Sequence, residues 1–287
     1  MTAAHAEVLL DAHVHYHRDF SKAAFFAAAA ANLRAGRKQL GLDGSACSGL
    51  MLTESHGVDA FEGFAGQAST SLPSGTPPDG WWFRQTEEDN SLWAVRSSAP
   101  DQPLLVIAGR QLVTGEGLEV LALGCRAPLP DGMGLRQARD AVIEAGGIPV
   151  VPWGFGKWWS QRGRMVAELI DAGDAAGAWF LGDNAGRPQL SRRPPMFARA
   201  AEHRVFVLPG SDPLPLPGQA DKVGRCGFRL SVEFDTDHPA RAVLDGLRAS
   251  SDQPETFGRY ESLGSFIRDQ VAMQWLKRSD RSETASS

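Results

Sequence analysis

The segment Leu10-Asp11-Ala12-His13-Val14-His15-Tyr16-His17 directly follows the first apolar run of the chain and is the strongest local signal for its fold and chemistry. Successive side chains of a β-strand point to opposite faces, so Asp11, His13, His15 and His17 are expected on one side. Two histidines separated by one residue at a strand end can hold one metal ion, and imidazole suits zinc, manganese and iron. The segment therefore predicts a metal site on His13 and His15, against the alternative of histidines hydrogen-bonded within a core.

Apolar runs of strand length recur along the chain, and helical patterns lie between many of them. The apolar runs are residues 8–10, 50–52, 104–107, 118–123, 148–151, 179–181 and 205–208. The helical patterns are residues 21–35, with a serine at the start, 134–145, 165–172, 195–202, 238–250 and 262–277. Strands that alternate with helices predict an α/β protein with a parallel sheet. Seven or eight such units predict a distorted TIM-like (β/α)7-8 barrel, whose chemistry lies at the carboxyl ends of its strands.

Two regions depart from this alternation. Runs 104–107 and 118–123 are close in sequence, so a hairpin is an alternative for that pair. Residues 73–103 are rich in proline, serine, glycine and acidic residues and include Trp81, Trp82 and Trp93. This segment is predicted to be an insertion that forms a lid over the barrel mouth. The remaining organisation is one domain over residues 1–278 and a disordered tail over 279–287.

The composition limits the classes of partner. The 287 residues are 43% hydrophobic and 22% charged, which is ordinary for a globular domain. The net charge of −5 predicts no basic surface, and hence no duplex nucleic acid as a partner. The three cysteines are far apart, and the amino terminus lacks the basic and apolar regions of a signal peptide. The sequence therefore predicts a cytoplasmic protein that does not interact with membranes.

Five segments, in the same order, resemble the motifs of the polymerase-and-histidinol-phosphatase (PHP) family, which is related to the amidohydrolases. The first is the Asp-x-His-x-His segment quoted above. The others are Met-Leu-Thr-Glu-Ser-His-Gly at 51–57, Ile-Ala-Gly-Arg-Gln at 107–111 with the strand that follows, Ala-Gly-Gly-Ile-Pro-Val-Val-Pro-Trp-Gly at 145–154, and Pro-Gly-Ser-Asp at 209–212. The resemblance covers about residues 8 to 212 and implies a barrel with a metal centre.

The resemblance implies a specific set of metal ligands. His13, His15 and Asp212 match ligand positions directly, and either Glu54 or His56 matches the second motif. Asp212 is also a candidate general base, and His56 a second candidate catalytic residue. The competing interpretation of Asp212 is turn chemistry in Ser-Asp-Pro.

Three other ligand positions of the family carry residues that ligate poorly or not at all. Gln111 replaces a bridging glutamate, Trp153 or its neighbour Pro152 replaces a histidine, and Leu214 replaces the closing histidine. The resemblance therefore implies one divalent ion per chain, zinc, manganese or iron, instead of a cluster.

Candidate substrate-binding residues lie at or near the predicted strand ends. Arg110 and Lys157 can bind anionic groups, and Trp153 can stack on a planar ring. Asn184 matches a position where the family often has an asparagine, although a turn explains Asp-Asn equally well.

The resemblance implies a metal-dependent hydrolase that acts on a phosphoester of a small molecule. Two alternatives stay open. One is an amidohydrolase-like reaction on a C–N or C–O bond at a mononuclear site, and the other is a degenerate domain that binds a ligand or partner without turnover. The sequence does not indicate the substrate, the metal or the oligomeric state.

Overall fold

A computed structural model describes residues 4–42, 46–70, 75–77, 79–173, 178–189 and 193–284, without the side chains of residues 4 and 277–284. The strands are β1 (Ala4–Val14), β2 (Cys47–Leu52), β3 (Trp81–Gln85), β4 (Ser91–Arg96), β5 (Ala99–Ile107), β6 (Gly109–Val113), β7 (Glu119–Leu123), β8 (Ile148–Pro152), β9 (Phe180–Asn184), β10 (Val207–Gly210), β11 (Cys226–Phe234) and β12 (Thr256–Gly258). The helices are α1 (Lys22–Gln39), α2 (Ala60–Ala65), α3 (Leu135–Glu144), α4 (Ser160–Asp171), α5 (Pro195–Glu202), α6 (Pro239–Arg248) and α7 (Leu263–Thr284), with a 3-10 turn at Gln219–Lys222.

The strands form two mixed sheets. The larger sheet has the order β12-β11-β1-β2-β5-β4-β3, and the smaller has the order β10-β9-β8-β7-β6. In the larger sheet β1, β2 and β5 are parallel to one another, and in the smaller sheet β8, β9 and β10 are parallel. The other strand pairs are antiparallel. The α/β class agrees with the alternating pattern in the sequence, but the strands form two mixed sheets where one parallel sheet was predicted.

The predicted TIM-like barrel is wrong, because the described strands form two separate sheets and no closed ring. Strand β1 already pairs with β2 and β11, and β2 already pairs with β1 and β5. Their edges are therefore not available to β10 and β6, which would have to pair with them to close a barrel. The two sheets share a buried core cluster, and backbone contacts join them near strand ends. The backbone N–H of Asp212 donates to the carbonyl of His13 at 2.8 Å, and Glu54 forms an isolated bridge with Arg110.

Among the described strands, the apolar runs did not predict β3, β4, β6, β11 and β12, of which β11 is the longest. Its sequence, Cys-Gly-Phe-Arg-Leu-Ser-Val-Glu-Phe, alternates towards its end, where Leu230 and Val232 are buried and Ser231 and Glu233 are exposed. This period-two pattern is typical of a strand with one face in water. The alternative hairpin is also placed differently: it joins β6 to β7, while β5 belongs to the other sheet.

The predicted lid is instead part of the larger sheet. Strands β3 and β4 and the start of β5 extend that sheet at its edge, and Trp81 and Trp93 are buried in core clusters. The aromatic and β-branched residues of β3 and β4 favour a half-buried pleated surface, which explains this placement. Residues 73, 74 and 78 of the predicted insertion lie outside the described residues.

Alternation along β1 distributes the core between its two faces. Leu9 packs with Phe25, Phe26 and Leu33 of α1, whereas Leu10 packs in a cluster that contains residues of both sheets. Helix α1 begins as predicted, because the Ser21 hydroxyl accepts a hydrogen bond from the Ala24 N–H.

The end of the chain contains the longest helix. Helix α7 continues to Thr284, into the segment predicted to be a disordered tail, and residues 285–287 lie outside the described residues. Within the described part of the chain, every helix is too short or too polar to cross a lipid bilayer.

Candidate metal centre

Three potential ligands converge where β1 and β10 end side by side. His13 is the penultimate residue of β1, His15 follows that strand, and Asp212 follows β10. The close approach depends on Gly210, because a Cβ at that position would overlap the Cβ and backbone nitrogen of His13. The Asp212 N–H then donates to the carbonyl of His13, which fixes the two strand ends together.

The distances fit one bound ion. The Nε2 atoms of His13 and His15 are 3.0 Å apart, and Oδ1 of Asp212 lies 3.5 Å from the first and 3.6 Å from the second. Metal–ligand bonds of about 2.1 Å with tetrahedral angles place ligand atoms roughly 3.4 Å apart. Among the described residues, this is the one group of histidine, cysteine or acidic side chains whose ligand atoms all lie close enough to share an ion.

Asp212 is held in an uncommon backbone conformation. Its φ is 45°, in the left-handed region that non-glycine residues rarely adopt. The Asn184 amide donates to Oδ2 of Asp212 at 3.1 Å and to the carbonyl of Trp153 at the same distance. This contact leaves Oδ1 directed at the two histidines, so Asn184 orients the carboxylate.

The electrostatic environment keeps His15 and Asp212 in the protonation states that bind metals. Burial and the neighbouring His13 together lower the pKa of His15 to about 3, so its ring is neutral at pH 7. Burial raises the pKa of Asp212, but His13 and His15 outweigh it and the net shift is downward. Neutral imidazole and ionised carboxylate are the ligating forms.

Asp11 supports the centre from inside the fold. It is fully buried, and its Oδ1 accepts the backbone N–H groups of His13 at 3.2 Å and Ser211 at 2.8 Å. Its Oδ2 accepts the N–H of Gly224 at 2.9 Å. Burial raises its pKa to about 6, against these three donors, which lower it. Asp11 therefore joins the backbones of the two ligand-bearing segments and is too enclosed to act as a ligand.

A cavity of about 400 Å³ adjoins the triad. Its wall includes His15, Asp212, Trp153, Lys157 and Asn184, all of them predicted site residues. The sequence analysis did not select His17, Ser55, Glu119, Phe155, Gln270 and Met273, which also line it. Glu119 is paired with Lys157, and the His17 ring binds the carbonyl of Pro213 at 2.8 Å. The period-two pattern of residues 11–17 was the available signal for His17, whereas nothing local in the sequence indicated Gln270 or Met273.

Three other predicted site residues lie elsewhere. The carboxylate of Glu54 accepts the N–H groups of Ala60 at 2.6 Å and of Phe61 at 3.2 Å, at the start of α2. Burial raises its pKa to about 7. His56 is exposed in the turn before α2, and Arg110 pairs with Asp59 at 3.2 Å. The described residues around the cavity include none of Glu54, His56 and Arg110.

The fold and this site define the chain as an α/β protein with a candidate mononuclear metal centre at neighbouring strand ends. Its sequence matches no protein-family model. No curated protein is similar to it in sequence either.

Several solved structures have a similar fold. PsfC from Pseudomonas syringae PB-5123 is 14% identical over 94% of this chain and 99% of its own, with a TM-score of 0.54. The lesion-specific endonuclease PfuEndoQ from Pyrococcus furiosus is 15% identical over 86% of this chain, with a TM-score of 0.48, and this chain covers 57% of it. Endonuclease Q in complex with a 27-mer duplex carrying an abasic lesion is 15% identical over 94% of this chain and 67% of its own, with a TM-score of 0.48.

The prediction that excluded duplex nucleic acid as a partner is wrong, because it rested only on the net charge of the whole chain. Net charge describes the whole chain, whereas nucleic acid responds to the local field of a surface, so a charge of −5 excludes nothing here.

Proposed function

We propose that this chain is a metal-dependent hydrolase that holds one divalent ion, zinc, manganese or iron, on His13, His15 and Asp212. The observation that carries the proposal is the convergence of two imidazole nitrogens and one carboxylate oxygen within 3.6 Å of one another, beside a cavity of about 400 Å³. Three protein ligands next to an open cavity are typical of catalytic sites, because structural sites use four.

A bound divalent ion would polarise the scissile group and make a water molecule nucleophilic at neutral pH. The protein supplies the geometry. Asn184 fixes the Asp212 carboxylate through Oδ2, and Asp11 fixes the backbone of His13. Trp153, Phe155 and Met273 give the cavity an apolar side, against which an apolar part of a substrate could pack.

Three cavity positions support a single ion. Gln111, Trp153 and Leu214 occupy positions where the PHP resemblance implies ligands, and all three line this cavity. A neutral amide is a poor bridging ligand, and tryptophan and leucine do not ligate. Two or three clustered cations need bridging anions between them, and these side chains do not provide any.

The resemblance to PHP proteins favours a phosphoester as the bond that is cleaved. One observation favours the second candidate, an amidohydrolase-like reaction on a C–N or C–O bond. Lys157 is the one lysine or arginine among the described residues of the cavity wall, and it is already paired with Glu119. A phosphate dianion would therefore find little uncompensated positive charge apart from the ion itself.

Metal content tests the proposal directly. The chain, expressed with zinc, manganese and iron available, is expected to carry close to one ion per molecule by elemental mass spectrometry. His13→Ala with His15→Ala should remove it, while His5→Ala, an exposed histidine on the same strand, should not. A wild-type protein without metal would refute the proposal, and two or three ions would show that ligands beyond the triad are in use.

A substrate panel then separates the two reactions. Phosphomonoesters and phosphodiesters are compared with amides, lactones and cyclic imides, using the metal-loaded wild type and the double histidine variant as a blank. Turnover of phosphoesters supports the first candidate, and turnover of the others supports the second. A protein that binds one ion and turns over neither class would support the degenerate, ligand-binding alternative.

A further inference from the structure

A second cavity, of about 310 Å³, lies at the amino ends of the parallel strands. Ala6 of β1, Ser48 of β2 and Leu104 of β5 line it. His13 is seven residues further along β1 than Ala6, which at about 3.3 Å per residue places the metal triad roughly 23 Å away. The two cavities therefore lie at opposite ends of strand β1.

The second cavity carries uncompensated positive charge. Arg34 and Arg37 reach it from the last turns of α1, and Arg96 from the end of β4. Arg34 donates to the side chain of Gln102 at 3.2 Å. Within the described part of the chain, none of the three arginines forms an ion pair, and Asp101 is the one acidic residue in the cavity wall. Guanidinium groups bind phosphate and carboxylate in a bidentate manner, so this rim favours an anion.

Much of the remaining wall is apolar. The small side chains of Ala6, Ala30 and Ala46 leave room for the cavity. The larger rings of Trp81, Trp93 and Phe234 also line it. Ser48 is 6% exposed, lines the cavity and has a hydroxyl without a hydrogen-bond partner among the described residues. Buried hydroxyl groups are normally hydrogen-bonded, so this one is a candidate contact for a polar atom of a ligand. The volume falls at the lower end of the range of small-molecule sites, about 300 to 1,000 Å³.

We propose that this cavity is a second ligand site, which binds a small organic anion. The phosphate or carboxylate group of the ligand contacts Arg34 and Arg37, and an attached aromatic ring lies in the apolar part beside Trp81 and Ala30, on the face of the sheet that α1 covers. The proposal does not depend on the reaction at the metal centre, because no residue is shared between the two cavities.

The test is calorimetric titration of the full chain with phenyl phosphate, after the metal has been removed with EDTA so that the metal centre does not compete. Saturable binding is expected, with inorganic phosphate and phenol, the two halves of the probe, each binding more weakly. Arg34→Gln with Arg37→Gln should weaken binding at least about tenfold, as expected for the loss of charged hydrogen bonds. The matched control is Arg164→Gln, an exposed arginine on α4, which should change nothing.

Two further variants separate this site from the metal centre. Ala30→Leu keeps all the charges, preserves helix propensity and fills the cavity, so it should abolish binding. His13→Ala with His15→Ala should leave binding unchanged. The proposal is overturned if the metal-free chain does not bind phenyl phosphate, if the two arginine changes act no more than Arg164→Gln, or if the histidine changes remove the binding.

Discussion

Strands β1 and β2 are parallel neighbours whose carboxyl ends have similar polar sequences but different uses. After β1, His13 and His15 turn towards Asp212 and form the triad. After β2, Glu54 accepts the first two N–H groups of α2, and His56 points to solvent. Both ends were predicted to supply ligands, and the structure brings only the first to the cavity.

This difference shows that the neighbouring strand determines whether the side chains at a strand end can contribute to a metal site. The end of β1 faces Gly210 and Asp212 of the smaller sheet, which approach closely and bring a third ligand. The end of β2 faces β6, where Glu54 bridges Arg110 through backbone hydrogen bonds. With its backbone fixed there, the Glu54 side chain reaches α2, whose first N–H groups need acceptors.

The largest effect is expected from Gly210→Ala, which breaks the contact between β1 and β10. The added methyl group would overlap the Cβ and backbone nitrogen of His13, and neither atom can move without shifting β1. We expect the free energy of unfolding to fall by about 3 kcal/mol or more, as in overpacked cores, together with loss of the bound metal. Urea denaturation and metal analysis measure the two effects.

Gly63→Ala is the control for this substitution. Gly63 lies in α2, and a Cβ there meets nothing within 4 Å. Alanine should stabilise the helix by up to about 1 kcal/mol and leave the metal content unchanged. Equal behaviour of the two variants would show that β10 does not hold His13 in place.

A pH-dependent effect is expected from Glu54→Gln, which tests the use of the β2 end as a helix cap. Burial raises the pKa of Glu54 from 4.5 to about 7, so the folded state favours the protonated form. Its stabilising contribution is complete below pH 4.5 and is lost as the pH rises through 7. Glutamine stays neutral and still accepts both N–H groups, so the variant should gain about 3 kcal/mol relative to wild type between pH 4.5 and 8.

The measurement is urea denaturation of both proteins at pH 4.5 and pH 8, at fixed ionic strength. Glu62→Gln, an exposed position of the same helix, serves as the control and should show little of this pH dependence. A constant difference in stability between the Glu54 variant and wild type across this range would contradict a buried, protonated Glu54.

The smallest effect is expected from His56→Ala. The residue is exposed, in the turn before α2, and outside the cavity wall. Metal content, unfolding free energy and turnover should all stay within error of the wild type, since surface substitutions usually change stability by under about 0.5 kcal/mol. If the variant lost activity but kept its full metal content, His56 would be a catalytic residue, and the end of β2 would have to move when substrate binds.

The sequence predicted the features that depend on local patterns. The apolar runs gave the positions of β1, β2, β7, β8, β9 and β10, and the serine before residues 22–39 gave the start of α1. The His-x-His spacing predicted two members of the triad, and the resemblance of residues 209–212 to a PHP motif predicted the third. These signals are local because strand alternation and helix capping are set by residues close in sequence.

Only the tertiary structure determined that the strands do not close into a barrel, and which residues line the candidate metal site. Pairing of β11 with β1 joins residues more than 200 positions apart, and it occupies the edge that a barrel would need. The same long-range packing brings Asn184 to Asp212, places Gln270 and Met273 in the cavity wall, and directs Glu54 to α2. A strand's sequence specifies which of its faces is apolar. Its partner on each edge is selected by the packing of the whole chain, because nearly all residues offer the same backbone N–H and C=O groups for pairing.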